Sequence, residues 1–170
     1  STGVIGQPLS LEPIAAGMDE LVKGLGDNSL FAAQGIMTTD TVDKQIAYTF
    51  TLGGKECKIG AIGKGVGMIN PNMATMLIFI TTDVSISPAM LQKALSADVK
   101  DSFNMVSVDG DTSTNDMVCV LANGLAGNDC IEENGKDYLI FRKALNKVTT
   151  NLCRRIAKTA RARRSSSNVR

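Results

Sequence analysis

Along the chain the apolar positions change period several times, and each change marks an element. Over residues 10–25, Ile14, Met18, Leu21, Val22 and Leu25 recur at intervals of three and four. That is the spacing of one helical face, and Gly26 supplies the stop. Residues 29–34 predict a second, short helix. "GIMTTDT", at 35–41, reads as a strand running into a polar edge. "QIAYTFTL" and "KECKIGAIG" alternate apolar and polar residues on either side of Gly53-Gly54, the pattern of a β-hairpin. "TMLIFITTD" predicts a buried strand. Ser87-Pro88 then offers an N-cap and a first-turn proline for a helix running to about Phe103. "NMVSV" and "MVCVLAN" predict two further strands around the polar loop "DGDTSTND", and a last helix covers about 137–158.

Helices and hairpin-linked strands in this order predict an α+β layered sandwich rather than a doubly wound parallel sheet. The 170 residues suit one domain, with 44% hydrophobic and 21% charged side chains. Aromatics make up only 4%, so methionine and the aliphatic residues must fill the core. The longest apolar run, "MLIFI" at 76–80, is far short of the ~20 residues of a membrane helix. The chain opens on "STGVIG" with neither an initiator methionine nor a signal-peptide pattern, and is expected to be a fragment of something longer.

Charge is unevenly spread. Residues 154–170, "RRIAKTARARRSSSNVR", carry seven Lys/Arg and no acid, leaving 11 of the 18 basic groups and all 17 acidic ones in residues 1–153, a net of −6. A body of that sign has little attraction for nucleic acid. The expectation is a domain over 1–153 followed by a basic, disordered tail. Cys57, Cys119, Cys130 and Cys153 form no C-x-x-C pair, so reduced, buried thiols in a cytoplasmic protein are expected.

There is no histidine. Its absence removes Ser–His–Asp and Cys–His mechanisms together, and no zinc site can draw on imidazole. Any nucleophile must be served by a lysine, a carboxylate or a terminal amine.

"GAIGKGVGMINP" contains a glycine-rich turn, but G-x-x-x-x-G-K-[ST] is missing and the run leads into Pro71 instead of opening a helix. Lys64 could instead meet a carboxylate. Asp109, Asp111 and Asp116 invite a calcium reading. An EF-hand beginning at Asp109 needs glycine sixth and glutamate twelfth, where Thr114 and Val120 stand, so a capped polar turn or a pocket lining fits better. Thr2 beside Gly3 offers a hydroxyl and an adjacent N–H, the parts of an oxyanion hole, although such pairs are common in turns. Thr75, preceded by the small Ala74, could be an ordinary strand residue. It could also be a nucleophile if the Ala74–Thr75 bond is cut, because the freed α-amine, with a pKa of about 7.7–8.0, would sit beside its own hydroxyl.

"STGVIG", "MTTDT", "GKGVGMINPNMATML" and "SFNMVSVDGDTSTNDMVCVLANG", in this order and spacing, closely resemble the bifunctional ornithine acetyltransferase (glutamate N-acetyltransferase) family of arginine biosynthesis. The similarity runs from about residue 1 to 158. It implies self-cleavage between Ala74 and Thr75 into 1–74 and 75–170, with Thr75 as nucleophile, Thr2 and Gly3 as oxyanion hole, and Lys64 as a substrate-binding lysine. A substrate-binding threonine falls in "MTTDT", with Thr41 favoured by spacing and Thr38 or Thr39 as alternatives. The implied fold is an α/β/β/α sandwich of N-terminal-nucleophile type, incomplete here at both ends. The implied reaction moves acetyl from N-acetylornithine to glutamate without metal or organic cofactor, with acetyl-CoA as an optional co-substrate and cleaved chains associating in a heterotetramer-like assembly. After "LCRRIAK" the family continues with "DGEGATK", whose glutamate contacts substrate, whereas this chain reads "TARARRSSSNVR". A shift of reading frame, or an error in how the gene's end was assigned, is the expected origin, and translating the source DNA in the other two frames should recover "GEGATK". The competing expectations are an inactive remnant that only associates with intact copies, and a related self-cleaving aminopeptidase.

Overall fold

The computed structural model of the protein describes residues 6–38, 40–65, 76–105 and 116–167. Its centre is a hairpin. β1 (Lys44–Leu52) and β2 (Lys55–Lys64) pair antiparallel from Lys44↔Gly63 to Leu52↔Lys55. The two linking residues, Gly53 and Gly54, have φ of 52° and 79°, and a two-residue turn needing positive φ twice selects glycine. β3 (Leu77–Thr82) adds antiparallel to β2, with Lys64 opposite Leu77. β4 (Met117–Ala122) adds parallel to β3, with Leu77 opposite Met117. The sheet order is therefore β1-β2-β3-β4.

Strand alternation gives the sheet one apolar face. Phe50, Leu52, Cys57, Ile59, Ile78 and Ile80 lie on it and are buried. Two helices cover it: α3 (Pro88–Asp101) and α4 (Lys136–Ser167). Ser87 caps α3 by accepting from the Met90 N–H at 3.4 Å, with Pro88 in the first turn. Phe141, Leu145, Val148, Leu152 and Ile156 recur every three or four residues along α4 and form its buried stripe. Gly63 lies beneath that stripe. A Cβ there would stand 2.7 Å from Ile78 Cδ1 and 3.7 Å from Leu152 Cδ1. Between the helices, buried Asp98 accepts from Asn146 Nδ2 at 2.8 Å and from Ser102 Oγ at 3.2 Å.

The α+β class is as expected, and the described residues build one sheet with two helices over its apolar face and a short one against the other. Several local expectations are corrected. α1 (Glu12–Lys23) forms where the periodicity places it, yet buries no residue; Met18, Leu21 and Val22 face solvent. α2 (Ser29–Gly35) is capped by Asn28, which accepts from the Leu30 N–H at 3.1 Å. The strand expected at 35–41 is absent from the described residues of that stretch: Gly35 ends α2, and the Ile36 and Met37 amides bond back to Ala32 and Gln34. Of "NMVSV", Asn104 and Met105 belong to a 3₁₀ turn, Phe103–Met105, and the remainder lies outside the described residues.

The expected boundary at 153/154 is not a boundary. α4 continues through Ser167, Ile156 is in the core, and Arg155 donates to the Gln45 carbonyl at 3.0 Å. Alanine, arginine and lysine are good helix formers, so the basic segment extends the helix instead of ending it. Despite its length, α4 is too charged to cross a membrane, and no helix among the described residues is long and apolar enough to do so.

The four cysteines are free, but only Cys57 and Cys153 are buried; Cys119 is half-buried and Cys130 exposed. Burial, with Asp98 adding to it, pushes the Cys153 thiol up to about 12. Burial and then Asp83 raise Cys57.

Phe141→Ala should lower stability by about 3–5 kcal/mol, whereas exposed Phe31→Ala should change it by no more than about 0.5 kcal/mol, both read from denaturant melts. The Cys153 thiol keeps its proton in the folded state to about pH 12, against 9.0 ordinarily. Its contribution to stability is therefore complete below about pH 9 and is lost as pH rises from there towards 12. Thiol labelling of the folded protein at pH 8 should modify Cys130 rapidly and leave Cys57 and Cys153 unreacted until denaturant is added.

Candidate active site

The end of the sheet where β2 finishes is also where β3 and β4 begin. Antiparallel β2–β3 and parallel β3–β4 pairing force this convergence. Lys64 and Gly65, Met76 and Leu77, and Asp116 and Met117 therefore assemble at one edge, although up to 53 positions separate them in sequence.

Lys64 is the last residue of β2 and is only 5% exposed. By strand alternation its side chain leaves the sheet on the face opposite α4, the side of α2. Among the described residues its ammonium makes one hydrogen bond, donating to Thr38 Oγ1 at 3.3 Å, and no carboxylate lies within ion-pair distance. A buried ammonium is costly without an anion or several acceptors. A hydroxyl alone leaves room in its coordination for a carboxylate brought by a ligand.

What delivers Thr38 to Lys64 is a second buried lysine. Lys44, the first residue of β1, is 1% exposed and donates to Asp40 Oδ1 at 2.5 Å, with both side chains sequestered. The same carboxylate oxygen accepts from the Gly65 N–H at 3.3 Å. One oxygen thus ties the segment after α2 to the start of β1 and to the residue following Lys64. Asp40 Oδ2 is buried and has no partner among the described residues.

On the other flank, Asp116 Oδ1 accepts from the Met76 N–H at 2.9 Å, and the Met117 N–H donates to the Met76 carbonyl at 3.0 Å. Both backbone groups of Met76 are held by the 116–117 dipeptide. Beside them lies a groove of about 590 Å³, lined among others by Met76, Leu95, Val99, Phe103, Asp116 and Met117.

Of the residues singled out in the sequence, Lys64 stands in this site and Thr38 is brought to it. Thr41 is exposed and makes no hydrogen bond among the described residues. Thr2, Gly3, Ala74 and Thr75 lie outside the described residues, as do Thr39, Asp109 and Asp111; Met76, the residue bonded to Thr75, is the described edge of that stretch. Sequence reasoning missed Asp40 and Lys44. Their i, i+4 spacing was visible, but only the tertiary fold buries them.

The description "ArgJ family" belongs to the family model that matches residues 1–168. The chain is 51% identical over 160 residues to the "Arginine biosynthesis bifunctional protein ArgJ" of Geobacillus kaustophilus, covering 93% of this chain and 39% of that protein. It is 51% identical over 158 residues to the protein of the same name from Bacillus subtilis, with the same coverage. It also resembles the crystal structure of the argJ protein from Bacillus halodurans, at 48% identity and a TM-score of 0.45 over 47% of this chain and 38% of that one. The chain thus spans about two fifths of the length of the curated relatives it matches.

Asp40→Ala strands the Lys44 ammonium and should cost about 3–5 kcal/mol, as expected for removing one partner of a buried pair. Replacing both, as Asp40→Leu with Lys44→Met, should recover much of that stability. In both variants the Gly65 amide should exchange faster with solvent, because its acceptor is gone.

Proposed function

Because the chain belongs to the ArgJ family, we propose that it carries the nucleophile-bearing part of an acetyltransferase that moves acetyl from N-acetylornithine to glutamate in arginine biosynthesis. The observation that carries the reading is Lys64. It is a buried cation lacking a carboxylate partner among the described residues, with Leu77 as its strand neighbour and Thr75 two residues upstream of that neighbour.

The chemistry begins with the Ala74–Thr75 bond. The Thr75 hydroxyl adds to the Ala74 carbonyl, the C–N bond breaks, and the acyl group moves to oxygen as an ester. Water hydrolyses that ester, leaving the Ala74 carboxylate and a free Thr75 α-amine. In a chain without histidine, this amine is the base. It takes the hydroxyl proton as Thr75 Oγ attacks the acetyl carbonyl of N-acetylornithine, and returns it to the departing ornithine nitrogen. The glutamate amine then attacks the acetyl ester, which gives N-acetylglutamate and regenerates Thr75. Thr2 and Gly3 hold the oxyanion at each tetrahedral stage.

Lys64 pairs with the α-carboxylate that donor and acceptor share. Thr38, not Thr41, is the threonine that acts with it, since its hydroxyl already meets the ammonium. No metal or organic cofactor enters this scheme, and acetyl-CoA could serve as an alternative donor in the same acyl-enzyme step. The carboxylate expected from "DGEGATK" has no counterpart in "TARARRSSSNVR", which follows "LCRRIAK" here.

Intact-mass analysis should show fragments 1–74 and 75–170, and Thr75→Ala should remove both the scission and acetyl transfer. An uncut wild-type chain that does not transfer acetyl would favour the associating remnant, and release of amino acids from peptide amides would favour the aminopeptidase. Lys64→Met should lower kcat/KM for N-acetylornithine by about 10–100-fold, the loss of one charge-assisted interaction of 1.5–3 kcal/mol. The rate of scission should change little, since that step binds no substrate.

A further inference from the structure

We propose that Asp116 is a positioning residue for the nucleophile: it holds the Thr75–Met76 peptide by its N–H and so fixes the backbone from which the Thr75 side chain projects. The proposal rests on the reading of Thr75 given above and extends it to a residue in the polar string "DGDTSTND" that the reaction scheme leaves unused.

The Met76 N–H belongs to the peptide unit whose carbonyl is that of Thr75. A peptide unit is planar, with six atoms from one Cα to the next moving as a body. Gripping its N–H therefore constrains the Cα of residue 75 as well as that of residue 76. The grip is an ionised acceptor on a backbone donor at 2.9 Å, a class of bond roughly twice as strong as its neutral counterpart. It does not act alone. The Met117 N–H holds the other end of Met76 through its carbonyl at 3.0 Å, so Met76 cannot rotate about the Asp116 contact.

An ordinary strand-entry residue would serve the sheet with the Met117 contact alone. That bond continues the parallel β3–β4 pairing one residue beyond Leu77↔Met117. The Asp116 contact lies outside the strand pairing. It spends a side-chain carboxylate, 40 positions away in sequence, on one particular amide. A rigid grip there matters for chemistry, because a nucleophile displaced by about 1 Å can lose on the order of 10²-fold in rate.

Three chains test this: wild type, Asp116→Ala, which removes the acceptor, and Asp116→Asn, whose side-chain oxygen can still accept from the amide. In amide exchange, Met76 should be protected in wild type and in Asp116→Asn, and should lose that protection in Asp116→Ala. Scission into 1–74 and 75–170, followed by mass, should slow by about 10–100-fold in Asp116→Ala, the range for losing a hydrogen bond to a charged group. Asp116→Asn should recover most of the rate. Where transfer is assayed, the loss should appear in kcat with KM for N-acetylornithine unchanged, since Lys64 and Thr38 are untouched. Equal scission rates in wild type and Asp116→Ala overturn the proposal while leaving Thr75 as nucleophile. So does a loss in Asp116→Asn as large as that in Asp116→Ala. A wild-type chain that is never cut overturns the Thr75 reading, and this one with it.

Discussion

A single carboxylate oxygen sets the geometry of the candidate site. Asp40 Oδ1 binds the buried Lys44 ammonium and the Gly65 amide together, fastening the segment after α2 to the end of the β1–β2 pair, where Lys44 already lies opposite Gly63. A buried ion pair is a poor stabiliser when compared with apolar groups of the same shape, since two desolvation costs must be overcome. Its contribution here is one of place. It draws the segment after α2 across the sheet end, and Thr38 consequently meets Lys64. The packing of α2 against β1 and β2, with Ser29 Oγ donating to Gln45 Oε1 at 2.8 Å, brings the same segment to this side of the sheet.

Two buried lysines at one sheet end would be untenable if both lacked anions. They are treated differently. Lys44 lies on the side of α4 and is neutralised within the chain, while Lys64 lies on the opposite side and has a hydroxyl partner among the described residues. Among the described residues the local field is therefore that of one positive charge without a carboxylate partner, at an edge where the lysine is only 5% exposed. Such a charge attracts anions strongly, the property that the proposed exchange of two amino-acid substrates at one place would need.

The sequence made the hairpin legible because its determinants are local: alternation of apolar residues and two glycines at the turn. β3, β4 and the capped start of α3 were legible for the same reason. What it could not reveal were features decided by distant partners. α1 has a helical stripe, but periodicity says nothing about what covers it, and here Leu21 and Val22 remain exposed. "GIMTTDT" resembles a strand because isoleucine, methionine and threonine favour one. Asp40 overrides that preference by pairing with Lys44 in the next element. The basic end was read as a tail because no apolar periodicity follows Ile156, yet α4 runs on to Ser167. In the site itself, Lys64 was legible from its motif. The contact of Thr38 with Lys64 was not, because spacing in sequence does not encode the direction in which a non-helical, non-strand segment turns.

The parallel register explains the remaining oddity, a string as polar as "DGDTSTND" between apolar stretches. Parallel neighbours begin at the same end of a sheet. The residues entering β4 must therefore lie beside the residues entering β3, whatever their separation in sequence. Had β4 run antiparallel to β3, Asp116 would stand at the far end, next to Thr82, and could not reach Met76. Polar residues at this entry cost the core nothing, since the buried positions of β3 begin only at Ile78. Asp116, the last of the string, thereby grips the Met76 N–H, next to the peptide that the proposed chemistry needs held still. Folding of the sheet must then precede the chemistry, because the contact at Met76 exists only once β3 and β4 have paired.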